Sequence, residues 1–139
     1  MRAFGQHGAN QGQFDKPYYI HITKDNKVIV SDSVNHRIQV FGNKIQKNYL
    51  KILFLKKNHI INKDTQGLYL YKFGREGSNP GEFKHPRGIT TDSEGFILVA
   101  DSGNNRIQVF QSNGTYVTHF GSGGTDSGKF KDLEGLAIS

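Results

Sequence analysis

Residues 73–120 read FGREGSNPGEFKHPRGITTDSEGFILVADSGNNRIQVFQSNGTYVTHF. After a Gly-rich lead-in come three β-forming runs, Gly88-Ile89-Thr90-Thr91-Asp92, Phe96-Ile97-Leu98-Val99-Ala100-Asp101 and Arg106-Ile107-Gln108-Val109-Phe110. A fourth, Thr115-Tyr116-Val117-Thr118-His119-Phe120-Gly121, closes the stretch. Clusters of Gly, Asn, Asp and Ser separate them, the pattern of an antiparallel meander. Asp92-Ser93-Glu94-Gly95 and Ser112-Asn113-Gly114 are expected hairpin turns with Gly at a positive φ. Phe96 to Ala100 is apolar at consecutive positions, so both faces of that strand are expected to be covered. Arg106 to Phe110 alternates and is expected to form a more exposed strand. Asp101 and Asn104 are expected to hydrogen-bond their own turn backbone.

The unit recurs, and the recurrence decides the fold. The spacing Phe-Gly-x-x-Gly-x-x-x-Gly-x-Phe occurs at Phe4, Gly5, Gly8, Gly12, Phe14, again at Phe73, Gly74, Gly77, Gly81, Phe83, and again at Phe120, Gly121, Gly124, Gly128, Phe130. Asp32-Ser33-Val34-Asn35-His36-Arg37-Ile38-Gln39-Val40-Phe41 shares a register with Asp101 to Phe110. The second and third copies lie 47 residues apart, a period that suits propeller blades or solenoid turns. Tyr19 stands where the second copy has Gly88, and Leu133 where the others have Pro17 and Pro86.

The Phe-Gly lead-in, the Pro-x-Gly-Ile turn and the Asp-x-x-Asn-x-Arg-Ile-Gln-Val-Phe block resemble NHL repeats. The likeness is nearest to the NHL domain at the C-terminus of tripartite-motif ubiquitin ligases. The resemblance implies an all-β fold, a closed six-bladed β-propeller used as an RNA-binding or protein-binding platform in the cytoplasm. It divides the chain into repeat 1 at about 4–42, repeat 2 at about 67–110, and a strand with the start of repeat 3 at about 115–139. About two four-stranded blades are therefore expected, and a propeller needs roughly four to eight to close. The segment is accordingly expected to be a fragment, or an incomplete gene model, of a longer protein whose other blades complete the ring.

Residues 44–65 do not fit the unit. Three residues separate Phe110 from Gly114 where twenty-five separate Phe41 from Gly67, an excess of 22. The excess contains no Gly, Pro, Val or Ala and is dominated by Lys, Ile, Asn and Leu. Those residue types share A/T-rich codons, so a retained intron translated in frame and a genuine basic insertion are both open. In either case an exposed loop without a defined helix is expected, because the apolar positions do not hold one helical face.

The insert also governs the charge argument. It carries +5 of the chain's formal +6. A basic chain ordinarily points to nucleic acid or an anionic membrane, but the remainder is close to neutral. Global charge is therefore no argument for RNA. The absence of Cys excludes disulfides and zinc–thiolate sites from this segment. No apolar run approaches the length of a bilayer span, and no signal-peptide pattern is present.

Local geometry says more than net charge. In a meander, successive connections alternate between the two ends of the strands. The lead-in loop and the turn between strands two and three therefore share one face. That face receives Lys16, Tyr18, Tyr19, Ser33, Asn35 and His36 from one repeat, then Lys84, His85, Arg87, Ser102, Asn104 and Asn105 from the next, then Lys131 and Glu134. Cationic, aromatic and amide side chains together suit phosphate contacts, base stacking and base-edge recognition. Residues that recur in register (Asp32 and Asp101, Asn35 and Asn104, Arg37 and Arg106) read as scaffold. Positions that vary between repeats are the candidate contacts to single-stranded or stem-loop RNA, or to protein: Lys16, Tyr18, Tyr19, His36, Lys84, His85, Arg87, Asn105 and Lys131.

Catalytic readings are poorer. The six His have no paired metal spacing. No Gly-x-Ser-x-Gly nucleophile elbow occurs, and the Gly-rich lead-ins lack the Lys-Ser/Thr ending of a phosphate loop. Peptidylglycine amidating lyases, relatives of NHL proteins, hold a metal in the propeller channel, and no such ligands can be matched here. No catalytic residue, metal or cofactor is assigned.

Overall fold

A computed structural model describes residues 6–42, 69–124, 127–130 and 134–136. The excess segment 44–65 and Lys131 lie outside the described residues. In chain order the strands are β1 (Gln6–His7), β2 (Gln13–Phe14), β3 (Pro17–Ile22), β4 (Val28–Asp32), β5 (Arg37–Phe41), β6 (Tyr69–Phe73), β7 (Pro86–Thr91), β8 (Ile97–Asp101), β9 (Arg106–Phe110), β10 (Tyr116–Phe120), β11 (Ser122–Gly123) and β12 (Lys129–Phe130). Two four-stranded antiparallel sheets form, β3-β4-β5-β6 and β7-β8-β9-β10, each in sequential order. They are the two meanders expected from the repeat, and we call them blade 1 and blade 2.

The turns take the conformations that their residues allow. Gly95 and Gly114 have φ of +89° and +88° at the β7–β8 and β9–β10 hairpins. Blade 1 uses Asn26 at the place of Gly95, with φ +64°, because Asn is among the few residues with a side chain that tolerate this region. Each outer strand carries a β-bulge at the same place: Leu70 and Val117 are skipped in the pairing with β5 and β9. Both side chains consequently point to solvent.

The first two lead-in loops fold back over the blades that they introduce. β1 pairs with β2 in parallel, Glu76 bridges Phe83 in the same way, and β11 pairs with β12. The loop thus becomes a compact cap on the outer half of its blade rather than an extended connector.

The main core lies between the two blades. Blade 1 contributes Ile29, Ile38 and Val40, and blade 2 contributes Phe83, Ile89, Ile97, Val99 and Phe110. Phe73, on the outer strand of blade 1, inserts its ring 4.8 Å from Phe110 and 6.3 Å from Phe83. Each fully buried side chain of this kind contributes about 1.5–3 kcal/mol of transfer free energy. A second cluster, Phe14, Val28, Val30 and Phe41, covers the other side of blade 1.

One expectation needs correction. β9 alternates in sequence yet is not the more exposed strand: Arg106 is 7% exposed and Gln108 is fully buried. Its polar side faces the folded-back lead-in loop, whose carbonyl oxygens take the place of water.

Candidate binding face

The face is built on a buried clamp that occurs once in each blade. In blade 2, Asp101 Oδ2 accepts from Arg106 Nε at 2.8 Å, Gln108 Nε2 at 3.0 Å and Asn104 Nδ2 at 2.9 Å. Arg106 then donates to the carbonyls of Ser78, Asn79 and Glu82 at 2.9–3.0 Å. Gln108 Oε1 accepts the Gly81 amide at 2.8 Å, and Asn104 Nδ2 donates to the Gly77 carbonyl at 2.9 Å. The last acceptor, Asp101 Oδ1, takes the Lys84 amide at 2.8 Å. Blade 1 repeats the set through Asp32, Arg37, Gln39 and Asn35, with Asp32 Oδ1 taking the Asp15 amide at 2.7 Å. Asp101 and Asn104 therefore serve the lead-in loop some twenty residues upstream, not the backbone of their own turn. Among the described residues, no buried side-chain polar atom lacks a partner.

The clamp fixes where the variable side chains emerge. Gly103 N–H donates to the Lys84 carbonyl at 2.8 Å, and Val34 N–H to that of Asp15 at 3.1 Å. The lead-in loop and the β8–β9 or β4–β5 turn are thereby tied together on one face. Lys16 and His85 follow in the left-handed region, φ +47° and +48°. The chain then turns sharply into Pro17 and Pro86, which open the innermost strands.

The next position forms a row across successive repeats: Tyr18, Arg87 and Glu134. The Arg87 guanidinium lies 4.9 Å from the centre of the Tyr18 ring, a cation–π contact. On its other side Arg87 Nη1 is 3.3 Å from Glu134 Oε1. Tyr18 remains 40% exposed, so its ring is available as a stacking platform. Lys16 and Lys84 project from the same face and are exposed.

The remaining candidates are placed differently. Tyr19 is half-buried and packs against the inter-blade core, whereas Tyr18 is skipped where β3 pairs with β4 and stands out from the sheet. His36 is also half-buried: its Nδ1 accepts the His85 amide at 3.1 Å, and the two rings are 4.5 Å apart. Asn105, its counterpart in blade 2, lies beside Gly123 of the third lead-in.

Three contacts have no counterpart in the sequence reading. His21 Nε2 is 2.8 Å from Thr91 Oγ1, joining the two inner strands, and burial lowers the His21 pKa. Gly88 N–H donates to the Glu134 carbonyl at 2.6 Å. Glu76 Oε1 stands 3.8 Å from His36 Nε2. The signal that pointed to Gly88 was its replacement by Tyr19 in the first repeat.

On the opposite face a cleft of about 280 Å³ opens between the β3–β4 and β7–β8 turns, floored by Ile29, Val40, Ile97 and Tyr71. Among the described residues, no group of three or more His, Asp or Glu could hold a metal ion. No helix among them is long and apolar enough to cross a membrane.

Comparison with known proteins agrees with this architecture. The family model for the NHL repeat matches residues 20–41 and 83–110. The chain is 26% identical over 132 residues to Protein brain tumor of Drosophila melanogaster, covering 79% of this chain and 13% of that protein. It is 51% identical over 45 residues to E3 ubiquitin-protein ligase TRIM71 of Rattus norvegicus, covering 32% of this chain and 5% of that protein. It is 39% identical over 56 residues to human NHL repeat-containing protein 3, covering 40% of this chain and 16% of that protein. The chain thus spans only 5% to 16% of the length of these relatives. The two matched segments are NHL repeats, and the chain is similar over these stretches to Protein brain tumor, E3 ubiquitin-protein ligase TRIM71 and NHL repeat-containing protein 3.

Proposed function

We propose that the face carrying Lys16, Tyr18, Lys84, His85 and Arg87 binds single-stranded or stem-loop RNA, in the cytoplasm, as a non-catalytic step of post-transcriptional regulation. The observation that carries this reading is the Tyr18–Arg87 stack at the rim of the inner strands. One side of the Tyr18 ring meets the guanidinium, and the exposed remainder can stack a base. Stacking of this kind contributes about 1–3 kcal/mol per base. Lys16 and Lys84 flank the pair on the same face and suit phosphate oxygens, which position the strand without reading sequence.

A protein-docking role is the second reading. It is favoured by Glu134, whose carboxylate makes the rim of mixed sign, and by the E3 ubiquitin-protein ligase names of several relatives. Such a platform would present substrates to a ligase whose catalytic domains lie elsewhere.

The two readings separate in one experiment. Fluorescent RNA oligonucleotides are titrated with the chain across a salt series. An RNA-binding face gives affinity that falls steeply with salt, and Arg87→Ala reduces the log–log slope by about 0.7, because one phosphate is no longer neutralised. Tyr18→Ala should weaken binding about tenfold or more with little change in slope. RNA affinity untouched by the double substitution retires these sites. A pull-down from lysate that is indifferent to nuclease favours protein docking.

A further inference from the structure

At the binding face the two blades meet at the Tyr18–Arg87 stack and, beside it, at one histidine ring. His36 lies in the β4–β5 turn of blade 1 with φ +52°, and its side chain is 13% exposed. Its Nδ1 accepts the backbone N–H of His85, at the end of blade 2's lead-in, at 3.1 Å. The His85 ring is tilted over it with centroids 4.5 Å apart, and Glu76 Oε1 from the same lead-in is 3.8 Å from Nε2. One carboxylate and one second imidazole therefore face the ring from blade 2. On its own side the adjacent cation is Arg37, already committed to Asp32 and to the carbonyls of Ala9, Asn10 and Gln13.

The next repeat fills the same position with a group that does not titrate. Asn105 has the same φ of +52°, and its Nδ2 would be 3.1 Å from a Cβ at Gly123 of the third lead-in. The same turn position is thus titratable in one blade and not in the next.

We propose that the His36–His85 contact makes the junction between blade 1 and blade 2 a pH-sensitive joint, closed while His36 is neutral and loosened when it is protonated. A neutral imidazole has one acceptor nitrogen, whereas an imidazolium has two donors and none. Protonating Nδ1 converts N–H···N into two N–H groups pointed at each other. Glu76 can hold the resulting cation near its place, but its side chain is 72% exposed and it cannot replace the missing acceptor. When His85 is charged as well, two cationic rings at this separation repel each other. Histidine changes charge between about pH 5 and pH 8. The joint separates Lys16 and Tyr18 from Lys84 and Arg87, so loosening it alters the spacing of the whole candidate face.

Amide hydrogen exchange of the full chain, read residue by residue by NMR at about pH 7.5 and about pH 5.5 and corrected for intrinsic rates, tests the joint. Protection of the His85 amide should fall about five- to tenfold at the lower pH, the factor corresponding to the removal of one net hydrogen bond. The Gly88 amide, bound to the Glu134 carbonyl at 2.6 Å with no imidazole acceptor, should keep its protection. In His36→Asn, which borrows the residue of the next repeat, His85 protection should be independent of pH. The proposal is overturned if His85 protection does not change in the native chain, if it falls in step with Gly88, or if it falls equally in His36→Asn. Should that variant fail to fold, the two amides of the native chain decide alone.

Discussion

Arg106 reaches Asp101 with its Nε at 2.8 Å, and the two side chains are 8% and 0% exposed. The pair is satisfied because Asn104, Gln108 and the Lys84 amide complete the carboxylate, while three lead-in carbonyls complete the guanidinium. Removing one partner strands a charge in a site that water does not reach. Asp101→Ala is therefore expected to cost about 3–5 kcal/mol, seen as a lower urea midpoint. Arg106→Lys should lose much of the same stability, because an ammonium cannot span the forked acceptor set. Residues 74–83 should then become more open to limited proteolysis, since the carbonyls of Ser78, Asn79 and Glu82 are held by that one side chain.

The clamp also marks the boundary of what the sequence discloses. Asp, Asn, Arg and Gln recur in register in both repeats, which identifies them as scaffold. Their partners are backbone atoms of a Gly-rich loop, and no side-chain pattern specifies a carbonyl. The alternation of Arg106 to Phe110 gives the two faces of the strand correctly, but a period of two does not say whether the polar face meets water or a loop. Strands, hairpins and the shared face of lead-in and turn were legible, because they follow from β-propensity, turn residues and the parity of a meander. Tyr18 and Tyr19 look equivalent as neighbours, yet Tyr18 is skipped in the β3–β4 pairing and stays exposed while Tyr19 packs on the core. The histidine contacts His21–Thr91 and His36–His85 join different repeats, and nothing local in the sequence pairs them.

Gly88 is the second structural test. A Cβ built there would lie 2.6 Å from the Glu134 carbonyl oxygen and 2.8 Å from Gly135 C and Leu136 N, all backbone atoms. The backbone of residues 134–136 must move for any side chain to fit. Gly88→Ala is expected to cost about 1–3 kcal/mol and to disturb the Arg87–Glu134 pair. The check is a denaturation midpoint together with amide shifts confined to residues 134–136.

Phe110 and Val117 are seven residues apart and should behave in opposite ways. Phe110 is 1% exposed and touches Phe73 and Phe83, so Phe110→Ala should cost about 3–5 kcal/mol through reduced burial and a cavity. Val117 is the extruded residue of the β10 bulge and is 44% exposed. Val117→Thr should stay within about 0.5 kcal/mol of the native chain. Equal effects in chemical denaturation would contradict the placement of the bulge.

Stability should also depend on pH through His21. Burial lowers its pKa from the ordinary 6.5, while Thr91 Oγ1 sits 2.8 Å from Nε2. The folded chain then binds fewer protons at this site than the unfolded chain near pH 6, so unfolding takes up a proton and stability rises with pH. The contribution is complete above the unfolded value of 6.5 and is lost as the pH falls through the lower folded value. Urea midpoints measured from about pH 8 down to about pH 5 should decline below neutrality. His21→Thr, which carries the residue of blade 2 at this position, should remove the His21 part of that decline and leave the pH response of the His85 amide intact. A pH profile of stability unchanged by His21→Thr would mean that the inner-strand histidine charges as freely in the folded chain as in the unfolded one, against its half-buried position between β3 and β7.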